Sequence, residues 1–199
     1  MLKALVIIVS IGATGLMAAL LYGTYRWNIF TQELRARLDA ARMSVRPQIV
    51  DFDELESLPA PVQRYFSTVL KEAQPMVAGV RVRHKGSFNT GEAVENWKPF
   101  TSDQNVVTQR PGFDWNANVM MIPGLPVRVH DAYVAGEGTL RASLLGLFSL
   151  ADLRGSSDAA QGELMRFFAE AAWYPTALLP SQGCALESNK RSLGLCDDD

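Results

Sequence analysis

The chain has 199 residues, with 19 Lys+Arg against 21 Asp+Glu and a formal charge of −2. That length holds one ordinary domain with an appendage, and the charge lacks the basic excess that a nucleic-acid partner requires. Two His and two Cys exclude a disulfide framework and most metal centres, and no cofactor-binding motif is present, so no cofactor is expected.

Ala4 to Gly23 carries no charge, and 15 of its 20 residues are apolar. As a helix it covers about 30 Å, one hydrocarbon core. Tyr22, Tyr25 and Trp27 follow, suited to the headgroup layer, and Lys3 supplies the charge at the start. A cleaved signal peptide is the rival reading, but no Ala-x-Ala site follows the apolar run. The expectation is one uncleaved span in the cytoplasmic membrane. The count of Arg26, Arg35, Arg37 and Arg42 after the span favours a cytoplasmic domain, whereas the short positive start favours export. An extracytoplasmic domain is the expectation adopted.

Phe30, Leu34, Leu38 and Ala41 recur at helical spacing among arginines, which predicts a juxtamembrane amphipathic helix lying on the bilayer or on the domain. A linker follows from Ser44 to Glu56, with Pro47 and four acidic residues. The next helix is expected to begin at Ser57, with Pro59 and Pro61 in its first turn. Val62, Tyr65, Phe66, Val69 and Leu70 form its apolar stripe, and Pro75 ends it.

The period then changes from 3.6 to 2. Val80 and Val82 alternate with arginines, and Phe100, Ser102, Gln104 and Val106 share a face. Phe113, Trp115, Ala117, Val119 and Met121 alternate with Asp114, Asn116 and Asn118. Val127, Val129, Asp131 and Tyr133 continue the pattern, and Thr139 to Ala142 adds a further strand. Turn signals stand between these runs at Pro111-Gly112, Pro123-Gly124 and Gly136-Glu137-Gly138, with gaps too short for crossover helices. The apolar stretch Leu144 to Leu153 is expected to cover the sheet or a cavity. A last helix, capped by Ser156, Ser157 or Asp158, carries Leu164, Phe167, Phe168, Ala171 and Ala172 on one side and stops before Pro175.

Together these elements predict an α+β chain: an N-terminal transmembrane helix, then a curved antiparallel β-meander with helices packed on one face. The expected divisions are a membrane anchor over 1–27, a juxtamembrane helix and linker over 28–56, the α+β domain over 57–183 and an irregular tail over 184–199.

LPAPVQRYF (Leu58 to Phe66), Gly86-Ser87-Phe88, Trp97 to Phe100 with Gln104, Pro111 to Trp115, Asp131-Ala132-Tyr133, and WYPTALLPSQG (Trp173 to Gly183) resemble an uncharacterised bacterial family described only as a domain of unknown function. The resemblance implies a shared fold and carries no catalytic residues over. The layout also looks like curved-sheet carriers of lipoproteins or lipids, a likeness of fold alone. The closing ESNKRSLGLCDDD (Glu187 to Asp199) departs from the family's strands, so a truncated or frameshifted C-terminus is expected, with a sheet edge left unpaired. Cys184 and Cys196 are then accidental, a disulfide between them being the alternative.

No nucleophile elbow, phosphate-binding loop or zinc-binding helix motif occurs. His130 and Asp131 are strand neighbours on opposite faces and cannot pair with each other, and His84 is expected at a strand end. Glu163, Arg166 and Glu170 share a helix face, either solvated or turned into the sheet, where Arg166 would meet an anionic headgroup. The candidate ligand-binding residues are Gln104, Trp115, Asp131, Tyr133, Arg166 and Trp173, and the expected function is binding of a lipid or other apolar ligand. The alternatives are a structural or interaction module or an inactive truncated copy, and a hydrolase using Asp131, Tyr133, Glu163 and Arg166.

Overall fold

A computed structural model describes residues 1–183. Its first element, α1 (Leu2–Ala41), is one unbroken helix of 40 residues, about 60 Å long at the ordinary helical rise. The sequence suggested an anchor ending at residue 27 and a separate helix beyond it. No Gly or Pro interrupts Thr24 to Ala41, so nothing breaks the rod there. The side chains before Gly23 stand almost wholly outside the domain, and α1 is long and apolar enough to cross a membrane. Beyond them, Gly23, Trp27, Thr31, Leu34, Leu38 and Ala41 are buried, spaced three and four apart on one stripe.

The linker makes a short 3₁₀ turn at Phe52–Leu55, where Asp51 accepts from the Asp53 amide. Helix α2 (Ala60–Val69) begins three residues later than Ser57 and ends well before Pro75. Pro59 holds extended backbone at its start, which keeps Ser57 out of the helix. Phe66 of α2 packs with Val50, Leu55, Leu70 and Leu179 in a satellite core.

Six strands follow in chain order: β1 (Gly79–Asn89), β2 (Trp97–Val107), β3 (Gly112–Ile122), β4 (Leu125–Val134), β5 (Glu137–Leu144) and β6 (Phe148–Arg154). They form an open antiparallel meander in the order β1-β2-β3-β4-β5-β6, so β1 and β6 are its edges. The α+β class and the meander agree with the sequence. Leu144 to Leu153 differs: it is not a cover but the end of β5, a turn and edge strand β6. The backbone turns there because Leu145 and Gly146 take left-handed φ values of 56° and 75°. His84 lies within β1, opposite Ser102, rather than at a strand end.

Helix α3 (Ser157–Glu170) is capped by Ser156, whose Oγ accepts from the Ala159 amide at 3.1 Å. Short 3₁₀ turns carry the chain from Ala171 to Gln182. Phe167 and Ala171 pack with Tyr174, Ala177, Val106, Phe113, Trp115 and Ala117 to make the main core on one sheet face. Helices were expected on one face only. α3 does lie there, but the second half of α1 covers the other face, where Leu34 and Leu38 meet Val107, Ala132 and Val134. The polar side chains Asp114, Asn116 and Asn118, which look like a solvent face in sequence, lie on this α1 side; Asp114 is sealed completely. The tail expected over 184–199, with Cys184 and Cys196, lies outside the described residues.

In a meander, alternate turns lie at the same end. The β1–β2, β3–β4 and β5–β6 turns therefore share one end of the sheet. α1 meets that end first: a side chain on Gly23 would lie 2.6 Å from the Leu145 carbonyl oxygen. It finishes at the opposite end, with Leu38 against Gly112.

Candidate functional site

The register sets Gln104, Trp115 and Asp131 side by side across β2, β3 and β4, on the face that α3 covers. Arg166 descends from α3 onto this row. Its guanidinium stands 4.9 Å from the Trp115 ring centre and 5.1 Å from that of Phe113. It is paired with Asp131, and its Nε donates to Glu170 Oε1 at 2.8 Å. Gln104 Nε2 donates to the other oxygen of Glu170 at 2.5 Å. Four of the six candidate residues thus meet. Trp173 stands apart from that ring of contacts, its ring 5.4 Å from His84. Tyr133 lies one row further on and lines an open hollow of about 380 Å³ with Arg110, Leu164 and Phe168.

The electrostatics of this cluster are local. Burial alone would lower the Arg166 pKa, but the hydrogen bond it donates to Glu170 and the charges of Asp131, Glu170 and Glu163 outweigh it and raise it. Arg166 is therefore already neutralised, and an incoming anion would face Asp131 and Glu170 as well. Burial first, then Asp131, pushes the Glu163 carboxyl up to about 9. Glu163 Oε2 and Asp131 Oδ1 are both shut from solvent without another partner. A proton held by Glu163 gives Asp131 the donor it lacks. A protonated carboxyl set against a second carboxyl is an arrangement that acid–base chemistry uses. Here Tyr133, the hydrolase reading's fourth member, belongs to the separate hollow.

One prediction follows directly. The folded Glu163 pKa lies above its unfolded value of 4.5, so the native state holds a proton that the unfolded chain releases. Stability should fall as pH rises from about 4.5 to about 9. Glu163→Gln should flatten that slope and melt no lower than the parent at pH 8, as pH-dependent thermal scans will show.

The opposite face holds a polar chain that the sequence did not reveal. Thr31 Oγ1 lies 2.8 Å from His130 Nε2, and His130 Nδ1 donates to Asp114 Oδ1 at 2.8 Å. Arg35 Nε donates to Asp114 Oδ2 at 2.7 Å, and its Nη2 reaches Asp103 at 3.2 Å. Burial pushes the Asp103 carboxyl up, but the Arg81 hydrogen bond and the charges of Arg35, Arg81 and Arg83 outweigh it and hold it below its ordinary value. Trp27 Nε1 also donates to Asn116, at 3.1 Å. The sequence signal was Trp27, Thr31 and Arg35 at i, i+4 and i+8, facing the polar alternation of β3. Beside this seam, Arg35, Leu38, Arg42, Arg81, Asn105 and Val107 border an open cleft of about 500 Å³. Among the described residues, no group of three or more His, Cys, Asp or Glu could hold a metal ion.

Fold and site together define an α+β domain, an open six-stranded antiparallel sheet with α3 on one face and the second half of α1 on the other, α1 being long and apolar enough to span a membrane. The chain belongs to a family of unknown function (DUF6920), whose profile matches residues 56–192. No curated protein and no solved structure matches it.

Proposed function

We propose that this chain is a single-pass membrane protein whose domain, outside the cytoplasm, stands with its hairpin end on the bilayer and holds a lipid or similar apolar molecule against the end of its sheet. The observation that carries this reading is an apolar row at that end. Across the sheet it runs through Gly86, Phe100, Val119, Val127, Leu144 and Phe148, paired in register on the α3 face. α3 lies towards the far end, its first turn against Gly138, and leaves Phe100, Val127 and Leu144 half-buried and Phe148 63% exposed. The adjoining β1–β2 turn adds Val94, 79% exposed, and Trp97 at the start of β2, 56% exposed, stands at the same end on the other face. Val119 in the middle of the row is covered, but Phe100 on one side and Val127, Leu144 and Phe148 on the other stay accessible, and the end of the apolar helix lies at the same end of the sheet.

Full-length protein in nanodiscs with a diazirine-acyl phospholipid tests this. Label is expected in peptides holding Phe100, Val127 and Leu144, and Val127→Asp should remove most of it. Label confined to α1 would contradict the reading. Protease added to sealed right-side-out vesicles should cut the domain.

A further inference from the structure

We infer that Arg26, Arg128 and Arg141 form a seat for the phosphate of an anionic lipid headgroup, at the point where α1 leaves the domain. The seat lies on the α1 face of the sheet, opposite the apolar row, and shares with the proposed function only the reading of α1 as a membrane span.

Arg128 of β4 and Arg141 of β5 lie on one sheet face. Arg128 Nη2 donates to Thr24 Oγ1 at 2.9 Å, one residue beyond the Gly23 contact. The Arg141 guanidinium lies 4.6 Å from the ring centre of Phe30 and 5.8 Å from that of Trp27. Both arginines have an Nε shut from solvent with no acceptor. Neither they nor Arg26 forms an ion pair among the described residues. The nearby carboxylate, Asp152, opposes Arg141 across the β5–β6 pair but is gripped by Arg154 through two hydrogen bonds of 2.5 and 2.8 Å. Burial lowers the pKa of both Arg128 and Arg141; at Arg141 the charge of Asp152 opposes this, and the charges of Arg154 and Arg26 add to it.

Here three arginines, with Arg154 beside them, face one carboxylate, Asp152, that Arg154 already holds, so the fold leaves a demand for further negative charge. The guanidinium fork fits phosphate oxygens two at a time, and half-burial makes such bonds stronger than they are in open water. The depth is right for a lipid. Arg26 stacks on Tyr22 at 5.8 Å, and Tyr22, Tyr25 and Trp27 mark the turns where the apolar stretch gives way to the domain. A headgroup phosphate at that level meets all three guanidinium groups, whereas a soluble anion would have to enter the same layer unaided.

The test uses full-length protein in nanodiscs of phosphatidylcholine alone and with phosphatidylglycerol added. The melting temperature should rise by about 2–4 °C with phosphatidylglycerol. The double variant Arg128→Gln, Arg141→Gln should lose that rise, and Arg64→Gln, at an exposed position on α2, should keep it. Should the double variant fail to fold, Arg128→Lys with Arg141→Lys keeps the charge without the fork and should retain less than half the rise. Equal melting in the two lipids, or a rise that survives in the glutamine variant, overturns the seat. An equal rise from inorganic phosphate in phosphatidylcholine discs overturns the lipid as its source. A chain that does not enter nanodiscs at all overturns the membrane reading itself, before the headgroup is reached.

Discussion

Asp114→Ala should destabilise the protein by about 3–5 kcal/mol, the range for removing one partner of a buried charged network. Asp114 and His130 are both 0% exposed. The carboxylate accepts from Arg35 and His130 at 2.7 and 2.8 Å, and His130 in turn meets Thr31. Without it, the sealed His130 imidazole loses its acceptor, and Arg35, whose side chain is 28% exposed, keeps only Asp103. Because Thr31 and Arg35 are on α1, the damage should appear as loosening of that helix from the sheet. Denaturant unfolding in micelles will give the loss, and trypsin should cut at Arg35 and Arg37 sooner than in the parent. Asp114→Asn, which keeps the shape and one acceptor oxygen, should lose less. A loss under about 1 kcal/mol in the alanine variant would mean that the network contributes no more than an exposed pair.

Gly146→Val should destabilise by about 3 kcal/mol, through overpacking added to the penalty for a left-handed backbone. Gly146 has φ 75°, and a Cβ there would lie 2.4 Å from the Gly23 carbonyl oxygen. The obstacle is backbone on both sides, so no rotamer change relieves it. Either the β5–β6 turn withdraws from α1 or the helix shifts, and the Thr24–Arg128 hydrogen bond breaks in both cases. Thermal melting measures the loss. Gly124→Ala, at an open turn with φ 80° and no neighbour within 4 Å, isolates the backbone share and should cost about 1–2 kcal/mol.

The strands were legible because β3 alternates without interruption from Phe113 to Met121, and period 2 fixes which side chains share a face. Gln104, Trp115 and Asp131 could be placed on one face for that reason, and the register brings them together. What alternation cannot say is what covers the other face. Asp114, Asn116 and His130 look like a wetted surface in a list of polar residues. Asp114 and His130 are interior, and Asn116 half-buried, only because α1 returns to them from some 80–100 positions away in the chain. The length of α1 was hidden for a related reason. Composition changes sharply after Gly23, but a helix runs on through such a change unless Gly or Pro stops it, and none does. Leu144 to Leu153 misled because a short apolar run does not reveal its period; the left-handed turn at Leu145-Gly146 decides it.

α1 is one unbroken helix, long and apolar enough at its start to cross a membrane and packed on the sheet at its end, so on the proposed reading it fixes the height of everything attached to it. Fluorescent labels on single cysteines at Val94, Ile122 and Ala135, in nanodiscs carrying quencher at known depths, measure that height directly. The labels at Val94 and Ile122, in or beside the turns at the α1 exit, should be quenched by lipid-borne quencher, and the label at Ala135, in the far β4–β5 turn, should not. Equal quenching at all three, or quenching at Ala135 alone, would contradict the account.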